Sequence, residues 1–109
     1  MGSQIHYLIT ASGRQGELDC HKPIWVGRAD PDQGYWPQLD LTGDGAVELG
    51  VSRRHALIQL SDQGPVLVDQ HSTNGTWINQ EQLIPDKPYP LPRVAQLRFG
   101  RLLLRTFLE

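Results

Sequence analysis

Apolar residues along this chain tend to recur at every second position in short runs, and most runs stop at glycine, proline or a polar cluster. Two is the side-chain period of a half-buried β-strand, because successive side chains on extended backbone point to opposite faces. Residues 5–9, 17–20 and 24–26 read as the first three strands, with 11–16 as the turn between the first two. Residues 55–60 and 66–69 read as a hairpin closed by the polar turn 61–65. Residues 76–79 and 82–84 read as a second pair, and 97–99 and 102–107 as the closing strands. Pro85, Pro88, Pro90 and Pro92 exclude a helix between them. The stretch 29–50 is the least regular, with Pro31, Gly34, Pro37, Gly43, Gly45 and Gly50 among scattered aspartates, and a short strand at 39–41. A connection this long is a place for function or mobility.

Helical periodicity is nearly absent, and turn signals recur about every 8–12 residues, which predicts an all-β sandwich or barrel. Alternation alone assigns the core to Ile24, Val26, Ala56, Ile58, Leu60, Val66, Val68, Ile78, Leu97, Phe99, Leu102 and Leu104. At 109 residues the chain is read as a single domain over 1–109, either whole or as one module of a longer protein. Net charge is −2, so nothing global steers it toward nucleic acid or an acidic membrane, and any anion site must be local. No apolar run approaches a membrane span, and the single cysteine, Cys20, suits a reducing, cytoplasmic setting.

Three polar loops break the apolar pattern. Gly27-Arg28 ends the third strand and places a permanent, fork-shaped cation there. Val51-Ser52-Arg53-Arg54-His55 packs a hydroxyl, two guanidinia and an imidazole ahead of a strand. Ser52 can donate a hydroxyl to an anion and Arg53 a charge-assisted hydrogen bond, while Arg54, on the other face of an extended segment, reads as solvated. His55, at a strand start, suits a ring held by backbone hydrogen bonds. The third loop, His71-Ser72-Thr73-Asn74-Gly75-Thr76, carries the Asn-Gly turn signal.

The ordered set Gly27-Arg28, Ser52-x-x-His55 and Ser72-x-Asn74-Gly75-Thr76-Trp77-Ile78-Asn79 resembles the forkhead-associated (FHA) domain, a phosphothreonine-binding module of Ser/Thr-kinase signalling. The resemblance covers about 24–107. It implies a twisted β-sandwich of two sheets and about eleven strands, with the binding loops at one end. It also implies roles: Arg28, Ser52 and Arg53 on the phosphate, Thr73 lining a pocket for the threonine methyl, and Asn74 on the peptide main chain. Gly27, His55 and Gly75 would support the site. No catalytic residue, metal or cofactor is implied, and the partner would be a phosphothreonine-bearing protein or peptide. Two departures bear on local turn shape: Asn79-Gln80 stands where the family often has Asn-Gly, and Val94-Ala95 where it has Gly-Asp.

Two other readings compete. The sandwich could bind a partner without phosphate, its aspartate-rich loop folded over Arg28 and Arg53 as an internal anion. Ser52 and His55 could instead be a nucleophile and base, but no Gly-x-Ser-x-Gly elbow is present. His6, His21, His55 and His71 show no metal-ligand spacing.

Overall fold

A computed structural model describes residues 2–109. Its strands, in chain order, are β1 (Gln4–Ile9), β2 (Gln15–Asp19), β3 (Ile24–Gly27), β4 (Leu39–Asp40), β5 (Arg54–Ser61) and β6 (Gly64–Asp69). They continue as β7 (Thr76–Ile78), β8 (Glu81–Gln82), β9 (Tyr89–Pro90), β10 (Val94–Phe99) and β11 (Leu102–Leu108). One sheet runs β2-β1-β11-β10-β7-β8 and the other β4-β3-β5-β6-β9. Every pairing is antiparallel except β3 with β4. Among the described residues, helix is limited to the single 3-10 turns Pro31–Gln33 and Thr42–Asp44, and none is long and apolar enough to cross a membrane. The expected all-β sandwich is thus the observed one.

The inward rows of both sheets meet in one core. Ile5, Val26, Ala56, Leu67, Leu97, Phe99 and Leu102 are wholly buried in it. Two of the expected core positions are not there. Leu60 pairs with Pro65 beside the turn of the β5–β6 hairpin and is 41% exposed. Val66 is half-buried opposite the exposed Gln59, while its neighbour Leu67 fills the core opposite Ile58. Pro65-Val66-Leu67-Val68 is a continuous apolar run, so alternation cannot tell which parity points inward. Val68 is buried but lies outside the main cluster.

The long 29–50 connection is anchored at both ends rather than loose. Arg14, on the β1–β2 turn, pairs with the buried Asp44 at 2.8 Å and donates to the Asp40 carbonyl at 2.7 Å. Burial pushes the Asp44 carboxyl up, but hydrogen bonds from Arg14 and Ser12 outweigh it and hold the pKa below the ordinary value. Thr42 ties the chain back to the site, accepting from the Ala29 N–H at 2.9 Å and donating to Asp40 at 2.6 Å.

Candidate functional site

Four connections converge at one end of the sandwich: β3–β4, β4–β5, β6–β7 and β10–β11. Gly27 makes the first approach possible. A Cβ there would lie 1.8 Å from the Arg53 carbonyl oxygen, so only glycine lets the end of β3 pass against the Ser52–Arg53 backbone. The register slips between Val26 and Gly27 at this point, and the Arg28 N–H donates to the Arg53 carbonyl at 3.2 Å. The Arg28 guanidinium is aimed by its Nε–H, which donates to the Val51 carbonyl at 2.9 Å. Among the described residues it makes no ion pair, so its outer nitrogens remain available.

His55 joins the second and third loops. The Ser52 N–H donates to Nδ1 at 2.9 Å. Nδ1 must therefore be the bare nitrogen, and Nε2–H donates to the Gly75 carbonyl at 2.8 Å. The ring is fully buried and meets Phe99 edge-on, with centroids 5.5 Å apart. Burial lowers its pKa and keeps it neutral, against a smaller upward pull from Gly75. Both nitrogens are committed to backbone, so His55 is a brace and is not placed as a base for the Ser52 hydroxyl.

The Ser52 hydroxyl accepts from the Thr73 N–H at 3.2 Å, which leaves its own proton free to donate outward. Asn74 bridges to the first half of the site: its Nδ2 donates to the Gly50 carbonyl at 3.0 Å. Thr73 and Asn74 are exposed beside the half-buried Ser52. Gly75 adopts φ +90°, and a side chain there would strike Trp77 and Gln82. The fourth connection locks on through the Gly100 N–H to the Gly75 carbonyl at 2.9 Å and the Arg101 N–H to the Leu49 carbonyl at 2.8 Å. All eight residues singled out in the sequence therefore come together at this end.

Three further residues contribute; an aspartate of the 29–50 loop over Arg28 and Arg53 was an expectation from the sequence, but none of the three was singled out there. Asp69, 2% exposed at the end of β6, accepts from the Ser72 hydroxyl at 2.5 Å and the Thr76 hydroxyl at 2.6 Å. Ser72 in turn accepts from the Gly75 N–H at 3.1 Å, so Asp69 sets the loop that presents Thr73 and Asn74. The Asp69-x-x-Ser72 spacing is a local turn signal that could have been used. Asp30 pairs with Arg53 at 2.7 Å. Tyr35 takes Arg54 over its ring at 4.1 Å, so Arg54 is exposed as expected but stacked on an aromatic face. The departure at Asn79-Gln80 keeps a tight turn, because Asn79 itself takes φ 55° and its side chain accepts from the Gln96 N–H at 3.0 Å. Val94 and Ala95 simply begin β10.

The FHA-domain family model matches residues 24–100, which contain all three loops. The chain belongs to the FHA-domain family. Among solved structures, one similar FHA domain, from work on phosphothreonine-dependent FHA interactions, has 25% identity and a TM-score of 0.74, covering 97% of each chain. The FhaA FHA domain, solved with the intracellular domain of Rv3910, has 27% identity and a TM-score of 0.69, covering 94% of this chain and 98% of its own. The N-terminal FHA domain of S. cerevisiae Rad53p, solved with a phosphothreonine peptide, shares the fold at 20% identity and a TM-score of 0.77, covering 96% and 93%. No curated protein matches the chain significantly.

Proposed function

We propose that the chain is a non-enzymatic recognition module that binds phosphothreonine-containing protein segments. One observation carries this reading: an arginine with no acidic partner among the described residues, a hydroxyl with its proton free and a second guanidinium converge at one braced sandwich end. In this reading Arg28, Ser52 and Arg53 hold the phosphate. Thr73 packs against the threonine methyl and Asn74 holds the peptide main chain through the amide groups that Gly50 leaves unused. Gly27, His55 and Gly75 fix the loops. The similarity to FHA domains solved in phosphothreonine-dependent work supports it. His55, whose two nitrogens are both spent on backbone, supports binding rather than catalysis. A cytoplasmic site of action accords with the buried free thiol of Cys20.

A phosphothreonine carries about −1.5 to −2 charges and three acceptor oxygens. Charge-assisted hydrogen bonds contribute about 1.5–3 kcal/mol each, so a few on an exposed site give affinity around the micromolar range. The decisive experiment titrates a phosphothreonine peptide library and its unphosphorylated twin into the protein and into Arg28→Ala. The parent selects the phosphorylated form, and Arg28→Ala loses that selectivity while staying folded. Undiminished phosphopeptide binding by Arg28→Ala would refute the assignment. The Asp30–Arg53 ion pair favours a second reading, phosphate-independent protein binding. It requires the two peptide libraries to bind alike.

A further inference from the structure

Asp30 is the aspartate of the 29–50 loop that reaches Arg53. It opens the 3-10 turn Pro31–Gln33, where an aspartate ordinarily caps backbone N–H groups with its side chain. It makes no such cap. Its carboxylate instead accepts from Arg53 Nη1 at 2.7 Å. The backbone beneath it is fixed, since the Asp30 N–H donates to the Tyr35 carbonyl at 2.9 Å and the Asp30 carbonyl accepts from Tyr35 and Gln33. The Asp30 side chain is 15% exposed, and that of Arg53 is 52% exposed. The anion is therefore held on a rigid corner while the cation it pairs with remains open to solvent. The hydrogen bond from Arg53 lowers the Asp30 pKa, and the field of Arg28 adds a smaller pull in the same direction.

We propose that Asp30 is a resident anion on Arg53 that an incoming phosphate must displace, and that it makes the site select a doubly charged phosphate over a single carboxylate. The inference rests on the phosphothreonine reading above. A ligand carboxylate arriving at Arg53 exchanges one charge-assisted hydrogen bond for its equal and gains nothing there. A phosphate brings more charge and a third oxygen, so it can hold Arg53, Arg28 and Ser52 together and win the exchange. Selectivity of this kind comes from a built-in competitor as well as from favourable contacts.

The test uses one peptide sequence with phosphothreonine, threonine or glutamate at the central position, titrated calorimetrically into the parent and into Asp30→Asn. Asparagine keeps the shape and removes the charge. Asp30→Asn is expected to bind the phosphothreonine peptide about threefold to fivefold tighter, the range set by an exposed ion pair. The glutamate peptide gains by a larger factor, which narrows the gap between the two, and an equal gain would overturn the selectivity assigned to Asp30. If the parent prefers the phosphothreonine peptide and Asp30→Asn binds it equally or more weakly, Asp30 is a support for Arg53 and this inference alone is overturned. If neither protein distinguishes the phosphothreonine peptide from its threonine twin, the phosphothreonine reading fails, and this inference fails with it.

Discussion

Replacing His55 by alanine removes one side chain and unties two loops. The magnitude can be worked bond by bond. The Gly75 carbonyl also accepts from the Gly100 N–H at 2.9 Å, so it keeps a partner when Nε2–H is gone. That loss is about 0.5 kcal/mol, the low end for a neutral hydrogen bond. The Ser52 N–H has the imidazole as its acceptor and is left unpaired beneath a half-buried residue, which costs about 1–2 kcal/mol. The edge-on contact with Phe99 is worth about 1 kcal/mol. A fully buried ring also leaves a void, adding about 1–2 kcal/mol. The expected destabilisation is about 4 kcal/mol, against total stabilities of about 5–15 kcal/mol for domains of this kind. His55→Ala is therefore expected to fold at room temperature with little margin.

The assay pairs urea denaturation, followed by tryptophan fluorescence, with phosphopeptide titration at a temperature where the variant is folded. Affinity is expected to fall about tenfold or more, because Ser52 and the Thr73–Gly75 turn lose their common tether while no phosphate contact is removed. Two results would refute the reasoning. Destabilisation below about 1 kcal/mol would mean the two imidazole bonds are not part of the folded protein. Full destabilisation with parental affinity would mean that His55 supports the core and not the site.

Three further outcomes are expected. Gly27→Ala forces the Arg53 carbonyl, 1.8 Å from the new Cβ, to move by more than an ångström, so both stability (by about 2–4 kcal/mol) and phosphopeptide binding drop in the same titration and melt. Stability should decline as pH falls below about 6.5, since unfolded His55 takes up a proton that the buried imidazole resists. His55→Ala should flatten that limb in pH-dependent urea melts, and the separate loss below about pH 4, where unfolded Asp44 takes up a proton that the Arg14-paired carboxylate resists, should remain. A phosphoserine version of a good phosphothreonine ligand should bind about fivefold more weakly, the worth of one buried methyl against Thr73, and equal binding in competition anisotropy would remove that pocket.

What the sequence disclosed and what it withheld follow from distance along the chain. Strand runs and turns are local properties, so the sandwich and the three loops were readable from alternation and from Gly-Arg, Ser-x-x-His and Asn-Gly. The inward parity of β6 was not, because Pro65-Val66-Leu67-Val68 offers no alternation. The Arg14–Asp44 clamp spans 30 positions and the Asp30–Arg53 pair 23, and a charged residue in a glycine-rich loop looks the same whether it is solvated or paired. Gly50 and Gly100 looked like ordinary turn residues. A Cβ on Gly100 would lie 2.6 Å from the Gly50 carbonyl, so they are also the contact surface between two loops.

The polar groups at the loop end divide by whether their hydrogen-bonding capacity is already used. His55, Asp69, Ser72 and Thr76 spend theirs on the protein itself: both imidazole nitrogens on backbone, and the buried carboxylate on two hydroxyls. Buried or half-buried and satisfied, these groups cannot respond to a ligand without leaving a donor or acceptor unpaired in the fold. Arg28, Ser52, Thr73 and Asn74 each have one atom tied to the frame and others turned outward. Such groups arrive oriented, and a ligand that meets them does not have to order them first. Arg53 differs from both sets: it is half-exposed and holds an exchangeable partner in Asp30. Changes of charge at Arg28, Arg53 and Asp30 should therefore act on phosphate affinity directly, and changes of shape at His55 and Asp69 should act through the loops. The two kinds of variant should be separable by salt, since screening weakens the exposed pair and leaves the buried braces nearly untouched.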